Sequence, residues 1–242
     1  MHEIDQFKQT VLDDYPRYGL NDRLQFSCHR GLPCFNMCCR DITIFLTPYD
    51  VLRMKNNLGI SSTEFLEKYT VLPFSKEQRL PVVVLKMLDD EEKRCPFVRD
   101  EGCSIYEDRP WACRMYPLGV ASPKEGNLAG DEKFYFLMEE PLCKGLEESD
   151  ECTIAEWLKD QGITEYDRMG EGFKELTLHD YFQHGGNLSP EKMDMFYMAT
   201  YDLDRFRKFI FESTFLKRFA IDEETIEKIR QDDLELMSFG VK

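Results

Sequence analysis

The sequence has no stretch long and apolar enough to cross a bilayer. Its most apolar run, residues 82–88, is interrupted by Lys86 and falls far short of the roughly 20 residues a spanning helix needs. A basic start followed by an apolar run is also missing, because Glu3, Asp5, Lys8, Asp13 and Asp14 are scattered through the first fifteen residues. No secretory leader is therefore expected, and the expected compartment is the cytoplasm, with no membrane partner. Positive charge is scarce: 31 Lys and Arg stand against 46 Asp and Glu, for a formal net charge of -15. Such a chain repels a phosphate backbone unless a local basic patch intervenes, and Lys76, Arg79, Arg205, Arg207 and Lys208 each sit among carboxylates. Nucleic acid is not an expected partner. There is no glycine-rich phosphate loop in the C-terminal half, and no Cys-x2-Cys knuckle occurs anywhere, which disfavours an ordinary zinc ribbon.

What the chain does have is cysteine. Of 9 cysteines, all but Cys152 fall between Cys28 and Cys143, as Cys28-x5-Cys34-x3-Cys38-Cys39, then Cys95-x7-Cys103-x9-Cys113, then Cys143. A reducing compartment keeps thiols available for metals or catalysis, and thiolates suit zinc and iron. Glycine and proline lie beside several of these cysteines, as convergent loops require. Two loops far apart in sequence would then be tied by one or two centres, so that metal binding becomes folding free energy. An iron-sulfur centre is favoured over zinc, because its several corners accept irregular ligand spacing. Adjacent Cys38 and Cys39 do not suit one mononuclear ion. The competing readings are thiols packed as small hydrophobes, or a redox-sensing vicinal pair. His29 is a lesser candidate ligand, His179 and His184 read as structural, and Cys152 reads as a free or packed thiol. The acidic run at 147–151 lacks the ligand alternation of a calcium loop and reads as a solvated linker.

Around this cluster the chain, at 42% hydrophobic and 13% aromatic residues, can bury a real core. The head of the chain reads as a short helix ending near Tyr15-Pro16, and the first cysteine cluster reads as a loop. Thr47 caps a helix that stops at Gly59, and Ser61 caps a second that buries Phe65, Leu66 and Tyr69. Residues 81–88 and 133–138 read as strands, with a turn over 89–93. Beyond Cys152 apolar residues recur at helical spacing: Ile154, Trp157 and Leu158, then residues 193–211 after Ser189-Pro190, then Ile226, Ile229 and Leu234 after a cap at Asp222. The fold class expected is α+β, dominated by helices. A small irregular β-hairpin core organised by cysteine ligation would occupy residues 1–146, with a helical extension over 147–242. Pro110 opens a short helix carrying Cys113, and Arg109 and Arg114 flank that thiol. These guanidinium groups either stabilise a thiolate or cofactor or pair with surface carboxylates. Tyr106, Trp111 and Tyr116 either shield the centre or belong to the core.

Cys95-Pro96-Phe97, Gly102-Cys103-Ser104-Ile105-Tyr106, Arg109-Pro110, Cys113-Arg114 and Tyr116-Pro117-Leu118, preceded by a loop ending in Cys38-Cys39, resemble the YkgJ-type cysteine cluster family of zinc- or iron-chelating domains. Cys143-Lys144-Gly145 is similar to that family's terminal Cys-Pro-Gly. The resemblance covers residues 26–146, and the first loop is longer than the family's usual Cys-x2-Cys-x2-Cys-Cys. It implies metal binding, with Cys28, Cys34, Cys38, Cys39, Cys95, Cys103, Cys113 and Cys143 as candidate ligands; Arg109 and Arg114, from their place around Cys113, are candidate cofactor contacts. Flagellin lysine N-methylase carries a similar cysteine-rich domain, so a metal-dependent modification enzyme stands beside the alternative of a zinc-stapled module that meets a protein partner.

Overall fold

The computed structural model describes residues 15–73, 79–121 and 133–241, so most of the helix expected at the head of the chain lies outside the described residues. The fold is mixed α and β, with 48% of the described residues helical and with small antiparallel sheets. None of the described helices is long and apolar enough to cross a membrane. The chain clusters into two compact units that share it in alternation: Met1–Cys38 with Cys113–Thr164, and Cys39–Ala112 with Glu165–Lys242.

In the first unit, β1 (Arg23–Gln25) pairs antiparallel with β9 (Glu151–Thr153), Leu24 opposite Cys152. The pairing is prolonged by the amides of Ile154 and Ala155, which donate to the carbonyls of Asp22 and Leu20 at 3.0 and 2.9 Å. Thr153 then caps α4 (Ile154–Asp160) in a complete capping box with Glu156, so the strand turns directly into a helix. A second ribbon pairs β7 (Leu118–Ala121) with β8 (Phe134–Leu137), and Tyr15, Ala121 and Met138 pack on the buried Phe134 and Phe136. Gly119 lies flat under the Phe136 ring, where a Cβ would collide. Both sheets have only two strands, an arrangement of marginal stability on its own.

The second unit holds the larger cores. β2 (Phe45–Leu46) and β3 (Thr70–Val71) flank β4 (Val83–Leu85) in a three-stranded antiparallel sheet. Next to it lie α1 (Pro48–Leu58) and α2 (Ser62–Tyr69). Thr47 caps α1 as expected and forms a capping box with Asp50, and Gly59 ends α1 in the left-handed conformation at φ 65°. Ser61 accepts from the Glu64 amide as expected, and Phe65 and Leu66 are buried. Around Met54, Phe65 and Val83 forms one core; around Tyr49, Tyr166, Ile210, Ile229 and Leu236 forms another. A short hairpin, β5 (Val98–Arg99) with β6 (Gly102–Cys103), carries Cys103.

The apolar run over 193–211 is divided between two helices, α7 (Pro190–Thr200) and α8 (Leu203–Glu212). Asp202 makes the division. Its carboxylate accepts from the Arg205 amide as a new N-cap, and also from the hydroxyls of Ser62 and Thr63, each at 2.8 Å. A side-chain acceptor that competes for backbone amides ends a helix even where the apolar spacing continues. α10 (Glu223–Gln231) begins at the expected cap, Asp222, and α11 (Asp233–Gly240) follows it.

Candidate metal centre

The cysteine loop is tied down by its backbone. Residues 26–36 are irregular, and the chain tightens into a 3-10 turn over Met37–Cys39. The Ser27 amide donates to the Gly145 carbonyl at 3.0 Å, and the Phe26 amide to that of Asp150 at 3.1 Å. These bonds bring Cys143 beside the loop, although it lies 115 positions beyond Cys28. The result is a group of four thiols in one unit: Cys28 lies in the electrostatic field of Cys38, Cys34 and Cys143. Burial, and then those three neighbours, push the Cys28 thiol up to about 11. Burying thiols together disfavours their charged form, and a cation among them reverses that balance.

Two donors from the protein reach the sulfurs. The Lys144 amide donates to Cys34 Sγ at 3.1 Å, and the Tyr116 hydroxyl is hydrogen-bonded to Cys143. Burial first, and that bond second, drive the Tyr116 phenol well above its ordinary range, so it stays a donor. Tyr116 also meets Phe26 edge-on at 6.0 Å, and Phe26 meets Trp157 at 5.4 Å. Of the three aromatics considered from sequence, Tyr116 is the one beside these thiols. Trp111 packs against the helical core with its Nε1 donating to Asp167 at 2.8 Å, and Tyr106 is 54% exposed.

In the other unit, the β5–β6 hairpin places Cys103 opposite Val98, and Cys95 precedes it. The amides of Phe97 and Val98 favour the charged form of Cys95, and that of Ile105 does so for Cys103, yet burial outweighs them and raises both thiols. Cys95 also feels Cys103, and its amide donates to the Cys39 carbonyl at 2.8 Å. Arg109, only 7% exposed, lies 3.7 Å over the Tyr106 ring, donates to the Tyr106 carbonyl at 2.6 Å and lends its charge to the Cys103 thiolate.

Cys113 is an exposed thiol in α3 (Trp111–Met115), the helix that follows Pro110. Arg114, equally buried, donates to the Gln161 carbonyl at 2.7 Å, at the C-terminal end of α4. His29 accepts from the Gly31 amide through Nδ1 at 3.1 Å and faces Glu148 through Nε2 at 3.5 Å, so both ring nitrogens have partners in the protein. His179 caps α6 (Asp180–Gln183), and His184 is bonded to the Asp180 carbonyl, both structural roles. Cys152 sits in β9, its thiol raised by burial and then by Glu156 and Asp160.

Among the described residues no three His, Cys, Asp or Glu side chains already surround a single point where one ion could sit. The donor chemistry nonetheless fits zinc or iron: four soft thiols share one neighbourhood, with hydrogen bonds to two of the sulfurs. Sequence reasoning named the thiols and missed the Lys144 amide, because a main-chain donor leaves no mark on residue type. No curated protein and no solved structure matches the chain. A family model does match residues 27–144, that of CxxCxxCC, described as a putative zinc- or iron-chelating domain. Residues 27–144, which carry every cysteine of both groups, match the model of the CxxCxxCC family.

Proposed function

We propose that this chain holds iron, as an iron-sulfur centre, through Cys28, Cys34, Cys38 and Cys143, with Cys39, Cys95, Cys103 and Cys113 as further candidate ligands and zinc as the competing occupant. The observation that carries the reading is the group of four thiols in one unit, gathered from positions as distant as 28 and 143, with Cys28 in the field of the other three. One feature favours a cluster over a single ion: the ligand spacing is irregular, as suits ligands that bind separate corners. When bound, such a centre supplies electron transfer, whereas zinc supplies a structural crosslink. The protein's own residues donate hydrogen bonds from Lys144 and Tyr116 to two sulfurs, and the Tyr116 ring packs edge-on against Phe26.

Anaerobic purification followed by metal and sulfide analysis tests the reading. Brown protein with iron and acid-labile sulfide supports it, and colourless protein with stoichiometric zinc transfers the thiols to the structural role. Protein that binds neither metal, with all thiols titratable, ends the metal reading altogether.

A further inference from the structure

Cys143, Lys144 and Gly145 make the turn that closes the four-thiol group, and its geometry is unusually constrained. Gly145 is buried, and its carbonyl accepts from the Ser27 amide at 3.0 Å. A Cβ on Gly145 would lie 2.6 Å from the Ser27 carbonyl oxygen and 2.7 Å from the Phe26 ring. The first of these is backbone and cannot step aside as a flexible side chain can. The bare α-carbon therefore lets the turn sit directly on the segment that leads into Cys28. In that position the Lys144 amide points at Cys34 Sγ, 3.1 Å away, while the Lys144 ammonium turns to Glu147 at 2.6 Å.

We propose that the Lys144 main-chain N–H, held in place by the close seat of Gly145, is a positioning and tuning donor for Cys34, drawing electron density from that sulfur. Its effect on a metal rests on the metal reading above; the hydrogen bond itself does not. A donor to a ligand sulfur lowers the sulfur's electron donation and raises the reduction potential of the centre it serves.

The local conformation supplies a clean probe. Cys143 is extended at φ -82° and ψ 109°, as the residue before a proline must be, and Lys144 opens the 3-10 turn Lys144–Glu147, where proline is well tolerated. Lys144→Pro therefore deletes the amide hydrogen with little other change. Lys144→Ala keeps that hydrogen and removes only the exposed ammonium. With cobalt(II) loaded anaerobically into the full chain, Lys144→Pro should retain metal and move the sulfur-to-cobalt charge-transfer band to lower energy, while Lys144→Ala leaves it in place. In the metal-free chain, Cys34→Ala should move the Lys144 amide proton to higher field in a spectrum of isotope-labelled lysine amides. Coincident bands for the two Lys144 variants, or a Lys144 amide that ignores Cys34→Ala, overturn the proposal. A wild-type chain that takes up neither cobalt(II) nor iron with sulfide defeats the functional reading instead, and the amide resonance then decides the hydrogen bond by itself.

Discussion

At the scale of single residues, the cysteines are not equivalent. Cys28 lies in the electrostatic field of three other thiols, whereas Cys152 lies in a strand and feels Glu156 and Asp160 in place of further sulfurs. Cys28→Ser and Cys143→Ser are each expected to lower metal content severalfold by elemental analysis, and Cys152→Ser to leave it at the wild-type value; equal losses in all three would erase the distinction. Residue type marked the thiols as candidate ligands, and position outside the family pattern set Cys152 apart. Neither revealed that the Arg109 charge reaches Cys103 while Arg114 serves a helix end, since both arginines flank the same thiol in sequence. Three-dimensional direction, not spacing, sorts such neighbours.

At the scale of elements, local signals were read well where capping chemistry is self-contained. Thr47, Ser61 and Asp222 cap the helices they were expected to cap, because each bond closes within three residues. Asp50 does more than its local pattern implies. It is fully buried; one carboxylate oxygen accepts from the Thr47 amide at 2.7 Å, and the other from the Trp111 amide at 2.8 Å. Asp50→Ala should therefore cost about 3 kcal/mol, more than a cap alone, because it also orphans the Trp111 amide. Urea titration measures this, and a loss near the ~1 kcal/mol typical of caps would show the second bond to be unimportant. The split of the 193–211 run escaped periodicity because the partners of Asp202, Ser62 and Thr63, lie about 140 residues away.

At the scale of the whole molecule, long-range charge adds to packing. Asp233 is bonded to Lys55 and Arg207, each at 2.6 Å. Burial opposes ionisation of Asp233, but the hydrogen bonds from Lys55 and Arg207 outweigh it and leave the carboxyl below its ordinary value. A carboxyl with a depressed folded-state value stabilises the fold above its unfolded pKa of about 4, and that contribution fades as pH falls through the lowered value. Asp233→Asn should thus destabilise the chain by about 2 kcal/mol at neutral pH, with the gap to wild type closing in acid; a gap independent of pH would contradict the ion-pair account. Removal of metal should act elsewhere. Because the unit of residues 15–38 and 113–164 has only two-stranded sheets, chelation is expected to lower the melting temperature and direct the first proteolytic cuts into that unit, leaving residues 165–242 protected. The sequence by itself determined the donor chemistry, the helical character of the C-terminal half and most helix starts, because composition and short-range hydrogen bonds are written in residue type and spacing. Only the tertiary structure decided which thiols share a neighbourhood, which amide faces Cys34 and how the chain alternates between two compact units. Those facts depend on contacts between residues more than a hundred positions apart, and no local pattern encodes them.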